Sequence, residues 1–239
     1  MKQNFKRILY KISGEVLMGN REYGQDNTKI IEIAKDIKDV YDKGIEICIT
    51  VGGGNIFRGI SHNESGIDRV TGDYIGMLAT VMNALALQSA IENLGIDTRV
   101  LSAINISSMC ENYIRRKALR HLSKKRILIF AAGTGNPFFT TDTGAVLRGI
   151  EMNCNAILKG TSVNGVYNKD PKKYPDAIKF DTIDYAKVIK DNLRVMDISA
   201  VSMAKDNNIP IYIFSIKNSK TPLSDLIYKN AIHTKINVY

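Results

Sequence analysis

Four short stretches of the sequence contain the residues whose types could do chemistry, and each lies at or beside the end of an apolar run. They are residues 11–15 (KISGE), 51–59 (VGGGNIFRG), 133–142 (GTGNPFFTTD) and 159–171 (KGTSVNGVYNKDP). The third contains two glycines, an asparagine, a proline, three threonines and an aspartate. A plain connection between two elements needs only a few such residues. So many small hydrogen-bonding side chains in one loop predict that a ligand binds there.

The residue types in the first two stretches favour a phosphate group as the ligand. Glycines 52–54 allow the backbone to approach a phosphate closely and to present its N–H groups to the anion. Arg58 follows closely enough to add a forked cationic contact. Lys11 lies in an otherwise apolar strand, where a lysine is costly unless it meets an anion. The alternatives are a glycine-rich surface turn with an exposed Arg58, and a Lys11 side chain that reaches solvent from an edge position.

Five nearby residues admit two interpretations each. Asp142 and Asp197 stand at the start of helical patterns, so each is either a helix N-cap or a member of the site, with the N-cap favoured for Asp197. Phe138 and Phe139 are expected to pack within the protein rather than to stack on a base. Tyr167 either lies against a purine ring or packs on its own part of the fold.

Several common sites are excluded because their motifs are absent. The sequence has no GxxxxGK[ST] loop, and neither GTGNPF nor GGGNIF has the third glycine of GxGxxG. The three histidines form no HExxH motif or metal-ligating cluster, so a zinc site is not expected. The three cysteines are far apart and form no CxxC, which is typical of small buried side chains in a reducing compartment.

The composition is ordinary for a globular protein, apart from an excess of positive charge. Hydrophobic residues make up 44% and charged residues 24% of the 239 residues, and the formal net charge is +9. Such a charge suits nucleic acid, an anionic membrane or a phosphorylated small molecule as a partner. The densest basic cluster, residues 115–126, is expected on an amphipathic helix whose apolar stripe is Ile114, Ala118, Leu119 and Leu122. A solvated helix face is favoured there over a polyanion-binding surface.

The distribution of apolar residues also predicts where the protein resides. No apolar run approaches the roughly 20 residues that span a bilayer. The N-terminus is basic, but its apolar portion is short and interrupted by Lys11, which is not the pattern of a signal peptide. We therefore expect a cytoplasmic protein.

The four stretches must be positioned by the elements around them. Apolar strand patterns alternate with helical patterns along the chain, which predicts parallel βαβ units. The predicted strands are residues 7–12, 45–51, 98–103, 126–132, 156–160 and 209–216, with a possible edge strand at 231–239. The predicted helices are residues 28–43, 73–95, 109–123, 142–152 and 195–208.

These patterns predict an α/β fold in which an open, mostly parallel sheet is sandwiched between helices. No repeat or linker divides the sequence, so a single domain over residues 1–239 is expected. In open sheets of this kind, ligands bind beyond the carboxyl ends of the strands. All four stretches lie at predicted strand ends, so we expect them to form one site.

The motifs also resemble those of a known family when they are taken together and in order. The sequence contains KxSGE, GGGNxFRG, DxxGMLATVxNALAL, GTGNPFFTTDTxAxLR and KGTxVxGVY…DP. This set resembles the bacterial uridylate kinases of the amino acid kinase family, over nearly the whole chain. Asn164 is a departure, because the family often has aspartate there. The resemblance implies that the γ-phosphoryl group of ATP, supplied with Mg²⁺, is transferred to UMP in pyrimidine nucleotide biosynthesis, giving ADP and UDP.

The resemblance implies roles for particular residues. A mechanistic hypothesis adds catalytic roles for Lys11, Arg58 and Asp142: Asp142 orients Lys11 or a Mg²⁺-linked group, and Lys11, Arg58 and backbone N–H groups neutralise the transferring phosphoryl group. Those expected to bind ATP are Lys11, Ile12, Ser13, Gly14, Gly54, Arg58, Thr161, Tyr167 and Asp170. Those expected to bind UMP are Gly53, Asp73, Thr134, Gly135, Asn136, Pro137, Phe138, Phe139, Thr140 and Thr141. No residue is expected to bind the metal directly.

The resemblance further implies regulation and assembly. Relatives of this kind are homohexamers activated by GTP and inhibited by UTP. The segment expected to be linked to GTP activation is Gly19, Asn20, Arg21, Glu22, Tyr23 and Gly24. Two rival interpretations remain: a kinase of the same fold that acts on a carboxylate or carbamate, and a nucleotide-sensing protein that binds nucleic acid through residues 115–126.

Overall fold

The computed structural model describes residues 5–57, 66–171, 173–193, 195–217 and 219–238. Its strands are β1 (Arg7–Ile12), β2 (Glu46–Val51), β3 (Thr98–Ser102), β4 (Glu111–Asn112), β5 (Ile127–Ala131), β6 (Ala156–Thr161), β7 (Val166–Tyr167), β8 (Lys179–Phe180), β9 (Thr182–Asp184), β10 (Ile211–Ser215) and β11 (His233–Asn237). Its helices are α1 (Gly14–Leu17), α2 (Asn27–Tyr41), α3 (Arg69–Glu92), α4 (Arg115–Ser123), α5 (Thr141–Glu151), α6 (Tyr185–Lys190), α7 (Ile198–Asp206) and α8 (Pro222–Lys229).

Nine strands form one sheet in the order β4-β3-β5-β2-β1-β6-β10-β11-β9. Neighbouring strands pair in parallel except for β10 and β11, which are antiparallel. Strands β7 and β8 form a separate antiparallel pair. The predicted α/β fold with an open, mostly parallel sheet is confirmed.

The core has two parts, one on each face of the sheet, because successive strand side chains point to opposite faces. Ile8, Tyr10 and Ile12 belong to the part that includes α2, α3 and α8. Leu9 belongs to the other part, which includes α4, α5, α6 and α7. Since Lys11 is an odd-numbered residue of β1 like Leu9, its side chain is directed to the α5 face.

Two helices begin a few residues away from the starts that apolar periodicity predicts, and in each the N-cap marks the start. The helix predicted over 73–95 begins at Arg69, since the Asp68 carboxylate accepts hydrogen bonds from Val70 N at 3.0 Å and Thr71 N at 3.1 Å. The helix predicted over 195–208 begins at Ile198, directly after its N-cap Asp197. An N-cap side chain fixes the first turn more sharply than apolar periodicity does.

The basic segment differs more from its prediction. The helix expected over 109–123 begins at Arg115, and residues 111–112 form β4, which pairs with β3. Ala118 and Leu122 are buried as predicted, but Ile114 is 57% exposed at the N-cap position. The basic side chains at 115–117, 120, 124 and 125 are exposed, as expected for a solvated face.

The C-terminal segment does form a strand, β11, but the prediction of an edge position is wrong. Strand β11 lies between β10 and β9, and β9 is the outer strand at that side. Its alternating burial is typical of a strand with one polar face, which sequence alone does not distinguish from an edge strand. Cys48 and Cys154 are buried and Cys110 is partly buried, all as free thiols.

Helix α3 needs comment because it is long and apolar enough to cross a membrane by length and composition. The prediction that no apolar run approaches the length of a membrane span is therefore wrong for Arg69–Glu92. About half of the helix faces the protein: 44% of its most apolar stretch is buried, and it packs against α2, β2, β3 and β5. Its Thr80 and Asn83 side chains are buried and hydrogen-bonded, which is typical of a core helix.

Candidate functional site

Two lysines and one aspartate form a buried cluster at the carboxyl end of the sheet. Lys11 of β1 lies opposite Lys159 of the neighbouring strand β6. Asp142, in the first turn of α5, contacts both: Oδ1 lies 2.9 Å from Lys11 Nζ, and Oδ2 accepts a hydrogen bond from Lys159 Nζ at 2.6 Å. Lys159 also donates to the carbonyl of Val195. The expected pairing of Lys11 with an anion is met inside the protein by Asp142.

Burial and charge act against each other in this cluster. Burial alone would raise the pKa of the Asp142 carboxyl, but the charges of Lys11 and Lys159 outweigh that effect and hold the pKa well below its usual range. Burial lowers the pKa of Lys159, although Asp142 opposes the shift. With all three groups ionised, the cluster keeps one excess positive charge facing the strand ends.

Asp142 is not the N-cap of α5, contrary to one of its two predicted roles. Thr140 is the N-cap, and its hydroxyl accepts a hydrogen bond from Asp142 N at 3.1 Å. Asp142 instead lies in the first turn, where the helix dipole favours a negative charge.

Asp197 is the N-cap of α7, one of its two predicted roles, and it also contacts the start of α5. It caps α7 by accepting from Ala200 N at 2.8 Å, which confirms the N-cap. It also accepts hydrogen bonds from the hydroxyls of Thr140 and Thr143, the latter at 2.7 Å. Asp197 thereby ties the start of α5, which carries Asp142, to the start of α7.

A cleft of about 230 Å³ lies beside the cluster. Its walls come from the loop after β2, the first half of α3 and the loop between β5 and α5. It is lined by Gly53, Gly54, Phe57, Gly72, Asp73, Gly76, Met77, Thr80, Ala132, Gly133, Thr134, Asn136, Phe139, Thr140 and Thr141. Small residues and hydroxyls dominate this lining, so the cleft suits a polar ligand of modest size. We name it the acceptor cleft.

The loop between β5 and α5 has a backbone that few residues adopt. Ala132, Gly133, Gly135 and Phe138 all have positive φ, between 54° and 82°. A Cβ on Gly135 would lie 3.0 Å from the carbonyl oxygen of Ala103, so glycine is required there on both counts. The loop is anchored at Ala132, whose N–H donates to Thr80 Oγ1 at 2.8 Å.

Asp73 joins this loop to α3. Its Oδ2 accepts hydrogen bonds from Phe138 N at 2.7 Å and from Arg69 Nε at 2.8 Å. The Arg69 guanidinium also lies 5.6 Å from the centre of the Phe138 ring. Phe138 is 66% exposed and Phe139 is 49% exposed, so the prediction that they pack inside the protein is wrong. The left-handed turn at Phe138 directs its ring outward.

A second cleft, of about 480 Å³, lies on the other side of the cluster. It is lined by Val163, Gly165, Tyr167, Asn168, Lys169, Asp170, Pro171, Asp191, Asn192, Leu193 and Val195. Lys159 donates to the carbonyl of Val195, which lines this second cleft. Asp142 directly follows Thr140 and Thr141, which line the acceptor cleft. The cluster therefore lies between the two clefts. We name the second one the donor cleft.

The predicted site residues are distributed over these parts as follows. Lys11 and Asp142 are in contact in the cluster, and Ile12, Ser13 and Gly14 follow at the end of β1. Tyr167 and Asp170 line the donor cleft, whereas Thr161 ends β6. Gly53, Asp73, Thr134, Asn136, Phe139, Thr140 and Thr141 line the acceptor cleft, and so does Gly54. Gly135, Pro137 and Phe138 are in the same loop but do not line it. Arg58 lies outside the described residues.

Lys159 was not predicted as a site residue, although its position in the sequence indicates one. AILKG places a lysine inside an apolar strand, which is the same pattern that identified Lys11 in RILYKI. The pairing of the two strands was the missing information, since only adjacency brings both lysines onto one carboxylate. Thr80 was also missed, because a threonine within an apolar helix carries no distinctive signal.

The metal that the resemblance implies can be tested against the donor set. Within the described ranges, no group of three or more His, Cys, Asp or Glu side chains is arranged to hold a metal ion. Asp142, the carboxylate of the cluster, is already shared by two ammonium groups. Mg²⁺ usually keeps several waters and is bound through substrate phosphates with few protein ligands. The residues therefore fit a Mg²⁺ ion that arrives with a nucleotide.

Comparison with known proteins places the chain in a family. Residues 6–215 match the model of the amino acid kinase family. The chain is 58% identical over 212 residues to a uridylate kinase of Erythrobacter litoralis, covering 89% of each chain. It is 60% identical over 213 residues to a uridylate kinase of Rickettsia prowazekii, covering 89% of this chain and 88% of the relative.

Solved structures agree with the sequence relatives. The crystal structure of the UMP kinase from Bacillus anthracis superimposes with a TM-score of 0.92 and 37% identity, covering 98% of this chain and 96% of that one. The UMP kinase from Ureaplasma parvum gives a TM-score of 0.92 and 36% identity over 99% of this chain and all of that one. The chain therefore belongs to the amino acid kinase family, and within that family it groups with the uridylate kinases.

Proposed function

We propose that this protein transfers the γ-phosphoryl group of ATP to UMP, giving ADP and UDP, as a step of pyrimidine nucleotide biosynthesis. The observation that carries the proposal is the cluster of Lys11, Asp142 and Lys159 between two clefts. One cleft is lined by the GTGNPFFTTD loop and the other by Tyr167 and Asp170. Phosphoryl transfer from one nucleotide to another requires the two to meet at their phosphates, where positive charge stabilises the transferring group.

The cluster supplies electrostatic stabilisation and needs no strong base. The acceptor is a phosphate oxygen of UMP, already ionised near neutral pH because the second phosphate pKa is about 6. Lys11 and Lys159 neutralise the charge that develops on the transferring group, and Asp142 holds both ammonium groups in place. Arg58 is proposed to add a further cation, and Mg²⁺ bound to the ATP phosphates neutralises part of their charge.

UMP is proposed to bind in the acceptor cleft. Asp73 is proposed to accept ribose hydroxyls, since it lines this cleft and an ionised carboxylate only accepts hydrogen bonds. The Gly53 backbone and the hydroxyls of Thr134, Thr140 and Thr141 surround the phosphate. Gly135, Asn136, Pro137, Phe138 and Phe139 shape the loop.

ATP is proposed to bind in the donor cleft. Tyr167 lies along the base and Asp170 reaches polar atoms of the same nucleotide, with Thr161 beside them. Ile12, Ser13, Gly14 and Gly54 are proposed to lie along the phosphates. The Ser13 N–H already donates to Gly160 O at 3.2 Å, so Ser13 would contact a phosphate through its hydroxyl. At Asn164, where the family often has aspartate, Oδ1 accepts a hydrogen bond from the Tyr167 hydroxyl at 2.6 Å, a contact that an aspartate could also make.

We also propose the regulation and assembly that the resemblance implies: activation by GTP through residues 19–24, inhibition by UTP, a homohexamer and a cytoplasmic location. The proposed GTP activation is supported by a contact between Gly24, the last residue of this segment, and Asn55, which follows Gly52–Gly54. Gly24 N donates to Asn55 O at 2.7 Å, and Asn55 Nδ2 donates to Gly24 O at 2.8 Å.

ADP release by the purified chain with Mg-ATP tests the reaction, with UMP, CMP, dUMP, carbamate and acetylglutamate as acceptors, each with and without GTP. We expect turnover with UMP that increases when GTP is added. Turnover with a carboxylate or carbamate alone would contradict the proposal and indicate another kinase of the same fold. Nucleotide binding without any turnover would favour a sensing protein.

A further inference from the structure

Two buried asparagines form a reciprocal pair behind the glycine loop. Asn83 of α3 is fully buried and Asn55, just beyond the glycines, is 2% exposed. Asn83 Nδ2 donates to Asn55 Oδ1 at 2.7 Å, and Asn55 Nδ2 donates back to Asn83 Oδ1 at 3.1 Å. We name the pair the amide clasp. No predicted role accounts for it.

The surroundings fix the orientation of both amides. Asn83 Nδ2 also donates to the Gly52 carbonyl at 2.7 Å, and Asn55 Nδ2 to the Gly24 carbonyl at 2.8 Å. Because a carbonyl oxygen only accepts, each amide must present its NH₂ group there. Gln25 Nε2 then donates to Asn83 Oδ1 at 2.8 Å, so all four hydrogen-bonding positions of Asn83 are used.

The clasp and the neighbouring elements together hold the glycine loop in place. Gly52 N donates to Ile12 O at 3.0 Å. A Cβ on Gly14 would lie 2.6 Å from Gly52 O and 2.7 Å from Asn55 Oδ1. A Cβ on Gly53 would lie 2.8 Å from Ala79 Cβ. The loop is therefore packed tightly between β1, α1 and α3. The clasp fixes how far the loop lies from α3, because Asn83 is bonded to both Gly52 and Asn55.

We propose that Asn83 is a positioning residue for phosphoryl transfer: through the amide clasp it fixes the Gly52–Gly54 backbone relative to Lys11, Asp142 and Lys159. The inference rests on the proposed function, because it assumes that this loop faces the nucleotide phosphates. Buried polar groups that are all satisfied define one geometry, and a phosphoryl acceptor displaced by about 1 Å can lose about 100-fold in rate. Gln25 extends the clasp to the segment at residues 19–25.

The test compares Asn83→Asp with Gln25→Ala and with a matched control, Asn93→Asp, which makes the same change at an exposed position of the α3 C-cap. The carboxylate of Asn83→Asp has no donors for Gly52 O and Asn55 Oδ1. We expect its kcat to fall by at least about tenfold with much smaller changes in both KM values. Gln25→Ala leaves Asn83 Oδ1 with its bond from Asn55, so we expect only about a threefold loss. Asn93→Asp should keep wild-type kcat.

A pH series separates positioning from loss of structure. Burial favours the protonated form of a carboxyl, so as pH falls the aspartate of Asn83→Asp gains a proton and with it one of the two lost hydrogen-bond donors. We expect the ratio of its kcat to the wild-type kcat to increase as pH falls, at a temperature where melting curves show both proteins folded. A merely structural residue would change the melting temperature and leave this ratio constant.

The failures of the two proposals are distinguishable. A wild-type protein that transfers phosphoryl to UMP, together with a folded Asn83→Asp that keeps its kcat within about twofold, overturns the inference and leaves the proposed function intact. A wild-type protein that is inactive with UMP overturns both. If Asn83→Asp does not fold, Gln25→Ala decides, and an unchanged kcat in that variant overturns the inference.

Discussion

At the scale of single residues, Lys11 and Lys159 share one carboxylate but differ in their other contacts. Lys159 commits two of its three N–H groups, one to Asp142 and one to the Val195 carbonyl. It therefore has a fixed direction, with one N–H group left for a ligand. Since the Val195 carbonyl belongs to the wall of the donor cleft, Lys159 connects the position of Asp142 to that cleft.

Replacement of Lys159 by methionine tests its charge while keeping most of its volume. We expect Lys159→Met to lower kcat by about 10²–10³, the usual effect of removing one preorganised electrostatic contact. Lys205→Met, at an exposed lysine of α7, is the control and should retain wild-type activity. Steady-state kinetics with both nucleotides provides the measurement, and a loss smaller than about tenfold would contradict the role of Lys159.

Asp73 should affect substrate binding more than the chemical step. Asp73→Asn keeps one oxygen that can accept from Phe138 N. It removes the negative charge and the second acceptor oxygen that would bind the ribose hydroxyls. Hydrogen bonds to a charged group are worth about 1.5–3 kcal/mol, so we expect KM for UMP to rise at least about tenfold while kcat changes less. Asp206→Asn, at an exposed position of α7, serves as control. Equal KM values in wild type and Asp73→Asn would argue against a UMP contact.

At the scale of elements, α2 and α8 are joined by a buried carboxylate. Asp36 of α2 accepts hydrogen bonds from Leu223 N at 2.8 Å and Ser224 N at 3.0 Å, the first N–H groups of α8. Thr221, the N-cap residue of α8, makes no side-chain cap hydrogen bond. Asp36 therefore satisfies from another helix the N–H groups that an N-cap would ordinarily satisfy.

This junction makes stability depend on pH in a defined direction. Burial raises the pKa of Asp36 to about 6. A carboxyl with a raised pKa binds its proton more tightly in the folded state, so stability is lost as pH rises from the usual value of about 4 through about 6. Relative to Asp36→Asn, which does not titrate there, we expect the wild-type free energy of unfolding to fall by about 3 kcal/mol across this window. Urea unfolding at several pH values tests it, and parallel curves for both proteins would contradict it.

The elements also show which parts of the fold are predictable from the sequence. The strands β1, β2, β5 and β6 lie within about a residue of their predicted bounds, because each is a buried apolar run bounded by polar residues. Short elements such as α1 and β4 were missed, since two to four residues are too few for a repeating pattern to be recognised. The same limit applies to the site: the loops were located correctly, but the Lys11–Lys159 adjacency depends on strand order.

At the scale of the whole molecule, the acceptor cleft joins parts of the chain that are distant in sequence. Its walls include Gly53 after β2, Asp73 of α3 and Thr140 before α5. A ligand that contacts all three walls binds the folded chain only. We therefore expect UMP to stabilise the whole protein against unfolding rather than one loop.

The size of that stabilisation follows from mass action. At a UMP concentration about 100 times its Kd, the free energy of unfolding should increase by about 2.7 kcal/mol. Thermal melting with increasing UMP measures the effect, and uridine, which lacks the phosphate, provides the control ligand. The Asp73→Asn variant should show a smaller shift at the same UMP concentration. An identical shift with uridine would show that the phosphate is not bound.

The central position of β1 has a consequence for the order in which the protein matures during synthesis. Strand β1 pairs with β2 soon after it in the chain, but also with β6, and Arg7 N donates at 2.8 Å to Asn155 Oδ1, 148 residues away. Contacts so distant in the chain form late, because the loop between them must first be closed. A nascent chain that ends before β6 lacks Lys159 and part of the donor cleft. In the proposed function, ATP can therefore be used only after β6 and the donor-cleft residues beyond it have left the ribosome, late in translation and after the residues of the acceptor cleft.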